Sequence, residues 1–149
     1  MKGQTLIEVL AALTILAIIA VSVTAIVTSS LNNSQFAKNK TLATKYAQQG
    51  MEAMRELRNN DYSQFRTYSG TYCLSVIPAV LATRPPCTTP NVANFLRTVD
   101  MGLGGCGANT TRVIVMVSWS DGRCPASNLY CHTESHDSCF STLNPIQSP

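Results

Sequence analysis

Charge is scarce in this 149-residue chain: Asp, Glu, Lys and Arg together make up 13%, and the net charge is +3. An excess that small does not by itself argue for nucleic-acid binding. Between Val9 and Val27 there is no charge at all, and no Gly or Pro. Cysteine is absent from the first 72 residues, and then six follow: Cys73, Cys87, Cys106, Cys124, Cys131 and Cys139. An even number confined to the distal segment points to disulfides formed in an oxidising exterior. Six cysteines admit fifteen pairings and the sequence does not choose among them. Short loops favour Cys73–Cys87 and a pairing within Cys124, Cys131 and Cys139.

Constellations that carry catalysis are missing too. No paired carboxylates in one region suggest acid–base catalysis. Ser118 and Ser120 lie in or beside a strand pattern without the Gly-flanked elbow of a hydrolase. Gly102-Leu-Gly-Gly-Cys-Gly107 lacks the Lys-Ser/Thr of a phosphate loop and does not open a helix, so it reads as a turn between strands. Cys131-His-Thr-Glu-Ser-His-Asp-Ser-Cys139 is the one dense cluster of potential ligands. His132 and His136 would come together on one face of a helix, whereas the context reads as strand and loop. A disulfide-bounded surface loop is the better account, and no metal, cofactor or catalytic residue is expected.

What is present begins with Val9–Val27. Nineteen uncharged residues make a helix of roughly 28 Å, close to the hydrocarbon thickness of a bilayer. Thr14, Ser22 and Thr24 interrupt it mildly, because their hydroxyls can bond back to the preceding turn. Only Lys2 precedes the run; Lys38, Lys40 and Lys45 lie beyond it, so the positive-inside rule gives weak guidance. A cleaved secretory signal would have a shorter apolar core and no Glu8 at its threshold. A plain anchor leaves Glu8 unexplained, since a carboxylate in a membrane helix is costly and is usually paired or functional.

Gly3-Gln-Thr-Leu-Ile-Glu-Val-Leu10, leading into the apolar run, resembles the class III signal of type IV pilins and type II secretion pseudopilins. The leader is only three residues long, and Gln4 stands where that family usually has Phe. The resemblance implies cleavage between Gly3 and Gln4 by a prepilin peptidase and N-methylation of Gln4. It also implies that Glu8 is the assembly residue, facing the α-amine of an adjacent subunit. The likeness covers residues 3–28 strongly and continues to about residue 60, where Ala47–Arg55 is similar to the same region of many pilin-like proteins. Phe95–Val99 with Val113–Trp119 resembles the minor, I-type subunits.

From Leu31 to Leu57 apolar residues recur at Leu31, Phe36, Leu42, Tyr46, Met51, Met54 and Leu57, a near-helical stripe without Pro. Gly50 costs such a helix about 1 kcal/mol relative to Ala. Asn59-Asn60-Asp61 is expected to end it. Beyond, Thr71–Ile77 reads as a strand closed by Pro78, and Asn94–Met101 as a second. Arg112–Ser120 is the clearest, with Val113, Val115, Val117 and Trp119 on one face. Asp121-Gly122 reads as a hairpin turn and Asn128–Glu134 as the return strand. Ala82–Val92 and Met101–Thr111 read as loops.

The expected fold is α+β and pilin-like: a long N-terminal helix, membrane-spanning in its first half, packed on a small antiparallel sheet with disulfide-bearing loops. Residues 1–3 form the leader, 4–28 the transmembrane half of the helix, 29–58 its amphipathic half and 59–149 the exported head. The expected function is that of a structural subunit of a type IV pilus or pseudopilus, polymerised with similar subunits into a homo- or hetero-polymer. An assembly ATPase and a membrane platform protein are implied partners. It would sit in the bacterial cytoplasmic membrane with its head outside, then in a fibre at the cell surface or in the periplasm. An adhesin or DNA-uptake module on a pilin spine, carried by the loop from Arg123 to Cys139, is one alternative. A single-pass envelope protein that never polymerises is the other.

Overall fold

A computed structural model describes residues 4–75, 77, 79, 81, 84–87, 90–103, 106–107 and 109–141. The chain divides into two compact units, Met1–Lys38 and Asn39–Pro149. Helix α1 (Gln4–Asn60) contributes to both; a short helix α2 (Tyr62–Phe65) and strands β1 (Gly70–Cys73), β2 (Leu96–Leu103), β3 (Thr111–Trp119) and β4 (His132–Phe140) follow. The strands form one four-stranded antiparallel sheet in chain order. The architecture is α+β and pilin-like, with the second part of the helix packed on the sheet.

The distal unit owes its core to two periodicities. On β3, Val113, Val115, Val117 and Trp119 alternate inward as expected, each at most 2% exposed. Arg97, Val99 and Met101 do the same on β2. On the helix, the buried line is Ala43, Ala47, Gly50, Met51, Ala53 and Met54, spaced by threes and fours. The expected stripe of large side chains holds at Met51 and Met54 and is displaced elsewhere. Leu42, Tyr46 and Leu57 are only half-buried, and Leu31 is exposed.

Small residues line the contact because the sheet comes very close. A Cβ on Gly50 would lie 2.8 Å from Val115 Cγ1, 3.1 Å from Leu74 Cδ2 and 3.4 Å from Arg97 Cδ. Glycine is present for proximity here, not for backbone freedom. Beside it Arg97 is 2% exposed. Its Nε donates to Leu74 O at 2.8 Å and its Nη1 to Tyr46 O at 3.2 Å, so one guanidinium joins the helix to the segment after β1. The Asn91 side chain brackets its backbone, accepting from Arg97 N at 2.7 Å and donating to Arg97 O at 2.8 Å. Burial pushes the Arg97 guanidinium below its ordinary range, with Tyr46 acting in the opposite sense. Among the described residues no carboxylate pairs with it, so carbonyls alone solvate the charge.

Several boundaries differ from the sequence expectation. The helix runs on to Asn60, and Asp61 caps α2 instead, accepting from Gln64 N at 2.9 Å. Phe65 of α2 is fully buried, edge-on to Phe140 with centroids 5.6 Å apart. Strand β1 stops at Cys73, short of Ile77, and Pro78 lies outside the described residues. Met101–Leu103 belong to β2, and Thr111 opens β3; Gly104 and Gly105 of the glycine-rich stretch lie outside the described residues. The largest correction concerns the return strand. It is His132–Phe140, paired from Trp119↔His132 to Thr111↔Phe140, so residues 120–131 form a loop, not a tight Asp-Gly hairpin. The strand HTESHDSCF buries only Phe140, which leaves no apolar alternation to read.

All six cysteines are paired: Cys73–Cys87, Cys106–Cys139 and Cys124–Cys131, with Cα–Cα distances of 5.6, 6.0 and 5.4 Å. The first ties the end of β1 to the following loop, the second ties the β2–β3 connection to β4, and the third closes the β3–β4 loop. Cys73–Cys87 and the pairing of Cys124 with Cys131 are those favoured by short loops. Cys106–Cys139 has the longest separation, 33 residues, which loop length disfavours.

Two stability measurements follow from this packing. Gly50→Ala removes a residue that costs a helix about 1 kcal/mol, but it also drives a methyl into Val115 and Leu74. The collision outweighs the propensity, so chemical denaturation should show a net loss of about 1–2 kcal/mol; a more stable variant would mean that the helix does not approach the sheet this closely. Replacing each cysteine pair by serines should rank the losses by loop closure. The estimates are about 4 kcal/mol for Cys106–Cys139, about 3 for Cys73–Cys87 and about 2.5 for Cys124–Cys131.

Candidate functional site: an apolar helix segment and a disulfide loop

In the proximal unit the helix is apolar on every side. From Leu6 to Val27 its large side chains are 49–69% exposed, and its most apolar window has mean hydropathy 2.7 with none of it buried. A helix apolar all round in water would be untenable, and this one is long and apolar enough to cross a membrane. Its hydroxyls conform to that setting. Thr14 Oγ1 donates to Ala11 O, Ser22 Oγ to Ile18 O and Thr24 Oγ1 to Val21 O, each at 2.8 Å. Thr28 Oγ1 reaches Thr24 O and Ala25 O, both at 3.0 Å. Each of these four hydroxyls is thus satisfied within its own helix, as a hydrocarbon environment demands.

Glu8 breaks the pattern. It lies on this helix, is exposed, and has neither a hydrogen bond nor an ion pair among the described residues. Back-bonding to the preceding turn is open to a hydroxyl but not to a carboxylate, which has no proton to donate. Gly3, the residue before the expected cleavage point, lies outside the described residues, as do Met1 and Lys2.

The ligand cluster read from Cys131 to Cys139 is dispersed in the fold. Cys139 joins Cys106, and Cys131 joins Cys124. His136 sits opposite Val115, where it lines a groove with Lys45, Gln48, Gln49, Glu52 and Arg55. His132 opens β4 opposite Trp119, its ring 5.4 Å from the indole. Four residues along a strand separate the two imidazoles by roughly 13 Å.

A different grouping does assemble, and the sequence reading missed its key member, Asp121. Its carboxylate accepts from Arg123 N (3.0 Å, Oδ1) and from Arg123 Nε and Nη2 (2.9 and 2.6 Å, Oδ2). His132 Nε2 lies 3.0 Å from the same Oδ2. The Asp121 side chain is 6% exposed. Burial by itself pushes its carboxyl up, but the Arg123 and His132 contacts prevail and hold it down at about 2. The available signal was Asp-Gly-Arg, which also reads as a turn in which an Asp side chain bonds two residues ahead.

A carboxyl held low in the folded chain stabilises the fold above the unfolded carboxylate range, near 4, and that contribution is lost as pH falls through about 2. Asp121→Asn should therefore be less stable than the parent chain at pH 7. The difference in melting temperature should shrink steadily between pH 4 and pH 2. A difference that stays constant over that range would show that the carboxylate charge is not what Arg123 and His132 hold.

No curated protein and no solved structure matches this chain. The family model that does match, the prokaryotic N-terminal methylation motif, covers residues 1–29. That span holds Gly3, Gln4, Glu8 and the whole uncharged run. The motif sits on the segment where a carboxylate without a partner among the described residues meets a membrane-competent helix, and over that segment the chain is similar to type IV pilin-like proteins.

Proposed function

We propose that the chain is a structural subunit of a type IV pilus or pseudopilus. The observation that carries this reading is the methylation motif over residues 1–29, with Glu8 exposed and without a partner among the described residues at the head of an apolar helix. Residues 1–3 are a leader, 4–28 the membrane and assembly half of the helix, 29–58 its amphipathic half and 59–149 the exported head. A prepilin peptidase cuts between Gly3 and Gln4, and Gln4 is then N-methylated.

The role of Glu8 follows from charge. A carboxylate in hydrocarbon is expensive, and so is the α-amine that cleavage creates at Gln4. Placing the amine of one subunit beside Glu8 of the next removes both costs together, helped by the positive end of the helix dipole. Only one axial step brings them together, so the pair sets the register of a helical polymer of this and similar subunits. The subunit waits in the cytoplasmic membrane with its head outside until an assembly ATPase and a platform protein move it into the fibre. The fibre core consists of α1, and the heads form its surface.

The first test is the mass of the N-terminal peptide from envelope-derived protein. A chain that begins at Gln4 with one extra methyl is expected; a chain beginning at Met1 leaves a plain anchor, and one beginning beyond residue 20 means an ordinary secretory signal. Glu8→Ala should leave the protein in the membrane fraction but reduce its recovery in sheared fibres at least tenfold. Undiminished fibre incorporation would remove Glu8 from assembly.

A further inference from the structure

We propose that, before Cys124 and Cys131 are joined, the β3–β4 loop binds one Zn2+ ion through Asp121, Cys124, Cys131 and His132. The four residues each offer one ligand atom, and these atoms all lie within 4.8 Å of one another. Two thiolates, an imidazole and a carboxylate are ligand types that zinc takes. With metal–ligand distances of about 2.0–2.3 Å, the edges of a tetrahedral site measure roughly 3.3–3.8 Å. The disulfide is therefore the oxidised form of a donor set already drawn together, and the sulfurs need only open to about 3.8 Å to admit the ion.

Framework and loop share the ligands. His132 is fixed by the register of β4 against Trp119, and Asp121 stands two residues beyond the end of β3. Cys124 and Cys131 bound the short loop between them. Outer contacts of the kind that orient metal ligands are in place. Arg123 grips the Asp121 carboxylate through three N–H groups, and the Trp119 ring flanks the imidazole. Cys131 N–H lies 3.3 Å from Cys124 Sγ, where it donates to the sulfur. On binding, the ion takes the place of the contact between His132 Nε2 and Asp121 Oδ2.

The chemistry balances without any group beyond a disulfide oxidant. Loading the dithiol chain with Zn2+ releases the two thiol protons. Oxidation by thiol–disulfide exchange then forms the Cys124–Cys131 bond and passes two electrons to the oxidant's disulfide, which leaves as two thiolates that take two protons from water, and the zinc departs. Zinc and the disulfide are thus alternative clasps on one loop. The metal holds it in shape and shields its sulfurs until the oxidant arrives.

The test uses the full chain in detergent, reduced with a phosphine under anaerobic conditions and titrated with zinc. The reduced chain should retain one zinc ion after desalting, and the oxidised chain none. Cys124→Ser/Cys131→Ser should lose that ion, Cys73→Ser/Cys87→Ser should keep it, and His132→Gln should weaken affinity roughly tenfold or more. Alkylation mapping of the unmutated reduced chain supplies a readout that no substitution can confound. Zinc should slow the modification of Cys124 and Cys131 relative to the other four cysteines. Retention of zinc by the Cys124→Ser/Cys131→Ser chain, equal binding by the oxidised chain, or unchanged alkylation at the two sulfurs would each overturn the proposal.

Discussion

The distal unit is built around one close approach, that of helix α1 to the sheet at Gly50. Val115, Leu74 and Arg97 all crowd the place where a side chain would be. Everything nearby follows from it. Ala43 and Ala47 keep the same helix face low, and Val113 and Val117 extend the valine row to either side of Val115. Arg97 gains access to Tyr46 O only because the backbone is near. Its guanidinium is buried without a counter-ion among the described residues, a state that stands only while both carbonyls stay in place. The contact therefore tolerates little sliding. A shift of the helix would strand a charge as well as open a void.

The two parts of α1 solve opposite problems with the same geometry. Along residues 6–27 large apolar side chains face outward on all sides, and hydroxyls fold back onto carbonyls of the preceding turn. Along residues 43–55 the buried residues are small apart from Met51 and Met54, and the polar Gln48, Gln49, Glu52 and Arg55 stay on the exposed side. The first pattern suits a solvent without hydrogen bonds, and the second suits a sheet at close range. A head of this size buries limited core, which fits the three disulfides placed where its loops leave the sheet.

How legible this was in the sequence depended on which side chains carried each element. The valine alternation of β3 and the uncharged run were plain, because burial on one face or on all faces leaves a period in the residues themselves. The helix face was placed only in part: Met51 and Met54 of the expected stripe are buried, but large apolar residues were counted and the rest of the contact is made by alanine and glycine. Strand β4 was misread for the reverse reason. It is polar along its length and is held by ladder bonds to β3 and by Phe140, neither of which leaves a hydrophobic pattern. Arg97 looked like any strand arginine; its burial comes from carbonyls on two distant segments. The motif at Gly3–Leu10 was fully legible, because its meaning lies in the order of residues and not in a tertiary contact.

The same distinction accounts for the two places where charge is concentrated with purpose. Asp121 and Glu8 are both carboxylates that must avoid standing alone, yet they reach that end by different means. Asp121 is satisfied within the chain, by Arg123 and His132, and so helps to fix the shape of a loop. Glu8 has no such partner among the described residues, and its neighbours for a full helical turn on either side lack a cation in the described part of the chain. On the proposed reading, a carboxylate without a partner among the described residues, on a helix too apolar for water, is met by another molecule. The cation that meets it must reach the same depth in hydrocarbon, and a helix N-terminus carrying a free amine supplies charge and dipole at once. A second copy of such a helix has these properties, which is why the proposed fibre is built on Glu8.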